Sequence, residues 1–501
     1  MIGLTPAQWP SRPLPGQIWF ILGGFAFLKL LILGLYRPFK ASDTDGYRYV
    51  ADVMSHDSSF WFSVTDWRTA ALPGAVFRPI GYPLLLALFH NDQLVIACQI
   101  AASVIVAAIL CRLVLDATGS GRVGALAGAF YLGGYSMLVD NTLLSDGLYA
   151  ALFNIVILTL LGSAYRNRPI TAGQASALGI AWGCSILVRE SGAFLTLIPL
   201  ALLVDRRLSA DDLGTVLLAR LRPLAAFLAP VLVVVGLYVG WNDYRTGEAF
   251  LGITGAANYL RPVFDIAKVG AADPFDDNSI LSMTVKRTMK NFSFPEQFDL
   301  FQTMQNETGL TPVGLEKLFR GKFAETVVHH PIAYAEIVAK NLDPANYADL
   351  LFSPIFTLND LFQLAVPPYQ RIIPGFGIKS WKSLLADRNW TGMGLAFASA
   401  VSTACATALF LIVLVGLPLQ AARQRWTPEL SLGLKALGVF VTVVIAFALV
   451  HTEARLVVPA IPSFLIATAI AIIYRPLPIV SRLSFRPETA PRSIQVRQLD
   501  E

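Results

Sequence analysis

Two aspartates, Asp43 and Asp45, stand two residues apart in Ala-Ser-Asp-Thr-Asp-Gly-Tyr-Arg-Tyr, just past the first long apolar run. Asp140 and Asp146 bracket a short polar turn between two later apolar runs. Arg189 and Glu190 interrupt a third run, and His451, Glu453 and Arg455 fill a fourth turn. A carboxylate can take a proton from a hydroxyl, and a guanidinium can neutralise a phosphate. Acids and arginines at the ends of apolar runs therefore suit transfer chemistry on a substrate whose charged head meets a membrane surface. Each has a plainer role as well. Asp43, Asp45 and Asp146 can cap helices, Arg189 and Arg455 can anchor at headgroups, and His451 suits an interfacial structural role. Lys29 lies about eleven residues, or ~17 Å, into the first apolar run at ~1.5 Å per residue. It reads either as a snorkelling or paired lysine or as a contact for an anionic headgroup.

The elements that must position these residues are membrane spans. Of 501 residues, 55% are hydrophobic and only 15% charged, against roughly 25% charged in soluble domains. These figures exclude a soluble enzyme, a disordered chain, a collagen-like repeat and a small disulfide scaffold. The net charge is +5, but Lys and Arg are scattered in pairs between apolar runs, so nucleic-acid binding is not expected. Cys98, Cys111, Cys184 and Cys405 all lie in apolar stretches and read as packing residues. Spans need about 20 apolar residues. Candidates are Ile18–Tyr36, Leu94–Leu115, Val123–Val139, Leu148–Tyr165, Leu224–Trp241, Met393–Leu419, Leu434–Val450 and Leu456–Tyr474. Ala175–Val204 carries Arg189-Glu190 at its centre, a costly placement at mid-membrane, so it reads as a hairpin of two short spans with the charged pair at its tip.

The expected fold is thus an all-α polytopic membrane protein of about ten transmembrane helices with one mainly helical extracytoplasmic domain. Basic residues such as Arg112, Arg122, Arg206, Arg207, Arg423 and Arg425 mark the inner face and put both termini inside. The first apolar run is longer than a signal-peptide core and reads as the first span. The organisation is an N-terminal transmembrane module, 1–241, whose first outer loop spans 37–92; an extracytoplasmic domain, 242–391; C-terminal transmembrane helices, 392–474; and a cytosolic tail, 475–501. No phosphate-cradling glycine loop with a following lysine, no His-Cys metal spacing and no Gly-x-Ser-x-Gly elbow occurs. Chemistry on the outer face with a substrate carried by the membrane is the reading that remains.

Several segments resemble GT-C glycosyltransferases. Ser42-Asp43-Thr44-Asp45-Gly46-Tyr47, continuing to Ala51, is similar to their acidic first-loop signature. Arg78-Pro79-Ile80-Gly81-Tyr82-Pro83-Leu84-Leu85-Leu86-Ala87-Leu88 resembles the Arg-Pro-Pro-Gly-Tyr-Pro run that follows that loop in bacterial members. Ser145-Asp146-Gly147-Leu148-Tyr149 resembles their Thr-Glu-x-Leu-Phe segment, and Leu187-Val188-Arg189-Glu190 their Leu-x-Arg-Pro turn. Glu453-Ala454-Arg455-Leu456-Val457-Val458-Pro459 is similar to the late Glu-x-Arg-Tyr-x-x-Pro motif. The nearest branch holds protein O-mannosyltransferases and lipid A aminoarabinose or galacturonic acid transferases. Ile80, Asp146 and Leu456 depart from the pattern, the last removing a hydroxyl. The domain 242–391 matches none of these motifs.

The resemblance implies an inverting transfer of a sugar from a polyprenyl-phosphate donor to a hydroxyl of a glycan, lipid or protein acceptor. It places the chain in a bacterial inner membrane with its site facing the periplasm. Asp43, by its distance to Tyr47 and Ala51, matches the family's catalytic acid better than Asp45. Arg189, Arg455 and Lys29 would bind the donor phosphate. Tyr47, Arg78, Tyr82, Asp146, Glu190, His451 and Glu453 complete the expected site. Asp43, Asp45 and Asp146 also offer oxygen ligands for a divalent metal, which the sequence does not require. A lipid or sugar transporter and a non-enzymatic envelope-assembly subunit are the alternatives. Transporters commonly show paired repeats and helices interrupted at midplane, whereas here charges cluster at one face and no repeat is visible.

Overall fold

The computed structural model describes residues 13–35, 38–41, 43–64, 78–204, 213–253, 255–270, 272–292, 294–343, 388, 390–423, 426–450 and 454–474. Among them helices dominate and no strand occurs; one isolated parallel bridge joins Phe39 to Thr142. Six helical stretches are long and apolar enough to cross a membrane: Gly16–Leu35, Asp92–Thr118, Ser145–Tyr165, Leu221–Thr246, Pro428–Ala448 and Arg455–Ile473. The chain is therefore an all-α, multi-pass membrane protein. The other expected spans are shorter or interrupted. Ala172–Val188 and Ser191–Val204 are short apolar helices, and the segment after Trp390 passes through a π-helical turn at Ile412–Gly416.

In chain order the helices are α1 (Gly16–Leu35), α2 (Thr44–His56), α3 (Ser59–Phe62), α4 (Gly81–Phe89), α5 (Asp92–Thr118), α6 (Gly121–Gly133), α7 (Ser136–Asp140) and α8 (Ser145–Tyr165). Then come α9 (Ala172–Val188), α10 (Ser191–Phe194), α11 (Leu197–Val204) and α12 (Leu213–Thr246). Helices α13 (Gly255–Val269), α14 (Ile280–Thr288), α15 (Phe294–Thr308), α16 (Pro312–His329) and α17 (Pro331–Asn341) follow. The chain closes with α18 (Trp390–Leu411), α19 (Leu417–Arg423), α20 (Pro428–Ala448), α21 (Ala454–Val457) and α22 (Ile461–Tyr474).

One large apolar core joins α1, α5, α6, α8, α9, α20 and α22. The chain reverses here: α9 ends at Val188 with Arg189 at its C-cap, and the chain folds back so that Trp182 Nε1 donates to Thr196 Oγ1 at 2.9 Å. Its long partner is α12. Gly179 and Gly183, spaced as Gly-x-x-x-Gly, let the two backbones close: a Cβ on Gly179 would lie 2.2 Å from Phe227 O, and one on Gly183 3.0 Å from Val234 Cβ. Without a hydrophobic driving force between helices in lipid, such close approach is what holds them together.

The expected span Val123–Val139 is broken. Helix α6 stops at Gly133, the chain turns through Gly134 and Tyr135, and α7 restarts at Ser136. Backbone groups released inside a bilayer must find partners. Ser136 Oγ donates to Tyr131 O, and the Ser136 carbonyl faces the Lys29 ammonium at 3.5 Å.

Helices α13 to α17 form a separate cap at one end of the bundle, around Leu260, Phe264, Phe275, Phe301, Met304 and Phe319. The cap is tied down at α20, where Tyr334 Oη donates to Leu449 O at 2.6 Å and Asn341 Nδ2 to Ala448 O at 3.0 Å. At the opposite end Arg112 and Arg166 share Asp116, and Tyr165 Oη donates to Glu429 Oε1.

Candidate functional site

The site lies at the capped end, where the loop after α1 crosses the turn between α7 and α8. Phe39 N donates to Asn141 O, Leu143 N donates to Phe39 O, and Thr44 Oγ1 donates to Leu143 O at 2.9 Å. This lattice fixes the start of α2. Its residues Tyr47, Val50, Ala51 and Met54 recur at helical spacing and are buried, the apolar stripe of an amphipathic helix. Asp45, about 200° around the helix from residue 43, is exposed and faces away. Asp43 stands at the N-cap, yet its side chain makes no capping hydrogen bond.

Asp43 instead bridges two distant arginines. Arg78 Nη2 donates to its Oδ1 at 2.7 Å, and Arg455 Nη1 donates to its Oδ2 at 2.9 Å. The three side chains are about one-fifth exposed or less. Burial would raise the Asp43 carboxyl, but Arg78 and Arg455, with Arg189 nearby, more than offset it and hold it below the usual carboxylate range. The Arg78 guanidinium lies 5.2 Å from the Tyr47 ring centroid, and Tyr47 meets Tyr82 edge-on at 5.1 Å. Tyr47 Oη and Ser145 Oγ share a hydrogen bond of 2.7 Å. Tyr82 Oη donates to Gln99 Oε1, and Gln99 Nε2 donates to the Asp140 and Thr142 carbonyls.

Arg189, at the hairpin tip, donates from Nη1 to Asp146 Oδ1 at 2.5 Å. The other oxygen, Asp146 Oδ2, is buried with no hydrogen-bond partner among the described residues. Arg78, Arg189 and Arg455 thus gather around Asp43 and Asp146.

Glu190 sits between this cluster and the cap. A Cβ at Gly252 would lie 1.9 Å from Glu190 Oε2, so glycine here lets the carboxyl keep this position against the 247–253 segment. Burial, reinforced by Glu316 of α16 and opposed by Arg78 and Arg189, pushes Glu190 up to about 7. The folded chain then holds this proton more tightly than the unfolded chain. The stabilisation is full below the ordinary value of 4.5 and is lost as pH rises through about 7. The melting temperature should fall over that interval, and Glu190→Gln, neutral throughout, should flatten the slope. An identical slope in the variant would remove Glu190 as its source.

Gly81 sets the distance between the Arg78 segment and the hairpin tip. A Cβ there would lie 2.7 Å from both the carbonyl carbon and oxygen of Leu187 and 2.8 Å from Val188 N. These are backbone atoms and cannot turn aside. Gly81→Ala should therefore destabilise by about 1–3 kcal/mol, measured by denaturation in detergent; full stability would show that the tip is loosely held.

The structure brings together Asp43, Arg78, Arg455, Tyr47, Tyr82, Arg189, Asp146 and Glu190. Lys29 is elsewhere. Its ammonium is fully buried against Asp140 Oδ2 at 2.5 Å, with Ser136 Oγ at 3.3 Å and Ser103 Oγ at 3.5 Å. The helix break at Gly134 recruits it, and its partners are Asp140, Ser136 and Ser103 rather than the arginine cluster. The three acids offered as metal ligands are not gathered either. Guanidinium groups hold both Asp43 oxygens, Asp45 faces away, and no group of three or more His, Cys, Asp or Glu side chains converges among the described residues. His451 and Glu453 lie outside the described residues. Sequence reasoning missed Gln99, although one amide inside an apolar run was a signal, and missed Gly252 and Glu316, for which no local signal existed. No family model and no curated protein matches the chain.

Proposed function

We propose that the chain is a GT-C-like glycosyltransferase moving a sugar from a polyprenyl-phosphate donor to an acceptor hydroxyl. The observation that carries this reading is the Arg78–Asp43–Arg455 bridge. It joins three of the segments on which the resemblance rests, and it sets a carboxylate among arginines at the end of a transmembrane bundle. The acceptor oxygen attacks the anomeric carbon, the bond from that carbon to the phosphate oxygen breaks, and Asp43 takes the acceptor proton. The leaving phosphate gains negative charge, which Arg78, Arg455 and Arg189 neutralise. The donor tail stays in lipid beside the bundle while its head enters beneath the cap. Base catalysis contributes typically 10²–10⁴-fold, and the arginines supply stabilisation specific to the transition state.

This reading puts the capped end on the periplasmic side of a bacterial inner membrane. A cysteine introduced near Asp276, in the cap, should react with an impermeant reagent applied from outside. The activity test compares envelope glycolipids and glycans by mass spectrometry with and without the gene. Loss of one sugar modification is expected; identical profiles together with reversed labelling would overturn the proposal.

A further inference from the structure

In the ligand-free chain, the cradle for an anion is already filled from within. Both Asp43 oxygens accept guanidinium donors, at 2.7 and 2.9 Å, from residues far apart in sequence. A carboxylate so engaged is a poor proton acceptor, because its lone pairs face Arg78 and Arg455. A phosphate monoester or diester head has the same needs as the carboxylate: negative charge and two oxygens to present to planar forks. Asp43 sits in a loop segment just before α2, and its side chain caps nothing, so it can leave the arginines without unwinding a helix.

We infer that Asp43 is a resident anion that the donor's phosphate displaces, so that the donor both binds to and unmasks the group that accepts the proton. This rests on the glycosyltransferase reading and adds an order to it: donor first, acceptor second. Before the donor arrives, Arg78 and Arg455 hold Asp43 ionised and occupied. Once phosphate oxygens take the guanidinium donors, Asp43 loses both partners, turns toward the acceptor hydroxyl and gains basicity. Transfer then proceeds with balanced bookkeeping. The acceptor O–H proton goes to Asp43, the new C–O bond forms, and the old bond's electron pair leaves on the phosphate. Arg189, bonded to Asp146 Oδ1 and close enough to Asp43 to lower its proton affinity, is the third cation beside the incoming head.

The test uses the full chain in lipid nanodiscs with farnesyl phosphate, a short prenyl phosphate, as the probe. An internal anion that fills the cradle nine-tenths of the time divides apparent affinity by about ten. Asp43→Asn should therefore bind farnesyl phosphate about tenfold tighter than the natural chain, while Asp45→Asn binds as the natural chain does. Equal or weaker binding by a folded Asp43→Asn overturns the exchange and leaves the glycosyltransferase reading standing. On the unaltered chain, farnesyl phosphate should accelerate carbodiimide modification of Asp43, located by peptide mass spectrometry; an unchanged rate overturns the exchange without any variant. Inorganic phosphate should bind more weakly than farnesyl phosphate. Equal affinities would mark a free-anion site, and no binding of either probe by any form would overturn the donor reading itself.

Discussion

On the proposed reading, Asp43→Asn should lower glycosyl transfer by at least about 10²-fold, the low end of what a positioned base contributes, with the chain still folded. The amide is nearly isosteric. Its oxygen can still accept from one arginine, but its NH₂ cannot take a proton and presents hydrogens to the other guanidinium. Transfer rate and prenyl-phosphate binding must be read side by side, since the variant should lose transfer while binding the prenyl phosphate more tightly. Asp45→Asn is the matched control. Its side chain is exposed on the far side of α2, and the variant should transfer at close to the natural rate. If Asp43→Asn keeps full activity and Asp45→Asn is dead, the roles are exchanged and α2 works in a register two residues away. If both stay active, the base is another carboxylate, and Asp146, with one buried unpaired oxygen, is the next to replace.

Lys29→Met should destabilise the bundle by about 3–5 kcal/mol, the usual result of stripping one partner from a buried ion pair. The ammonium is fully buried, and its removal strands Asp140, which is 3% exposed. The loss reaches further than one pair, because Lys29 also faces Ser136 at the break between α6 and α7. The double variant Lys29→Met with Asp140→Asn should recover much of the loss, since no charge is then left alone. Unfolding in mixed micelles measures both. A Lys29→Met chain of natural stability but weakened donor binding would put Lys29 back among the phosphate contacts, against the geometry.

What could be read from the sequence was what local pattern encodes. Apolar runs gave the long helices, and the cost of Arg189-Glu190 at mid-membrane gave the hairpin. The preference for Asp43 over Asp45 rests on the spacing to Tyr47 and Ala51; Tyr47 and Ala51 lie on the buried side of α2, and Asp45 is exposed. The break at Gly134 was hidden because Val123–Val139 carries no charged residue, and a glycine pair is compatible with an unbroken transmembrane helix. Its rescue by Lys29 depends on α1 packing against α6, which no local window contains. The same limit applies to the centre of the site: Arg455 lies 412 positions from Asp43. Both were recognised as chemistry-bearing residues; that they would bond to each other was a fact of tertiary packing.

The seam between α9 and α12 has a mechanical consequence. Helix α12 runs 34 residues, about 50 Å at ~1.5 Å per residue, and its far end leads straight into the cap. Near that end Arg245 stacks on Trp241 and Phe60, riveting α3 to the same rod. Helix α9 is pressed backbone to backbone against α12 at Gly179 and carries Arg189 at its tip. Interiors this closely packed transmit strain. Beyond Pro230, α12 is free of proline, and its contact with α9 at Gly183 lies on that side, so a shift of the cap reaches Arg189 through a few turns of closely packed helix.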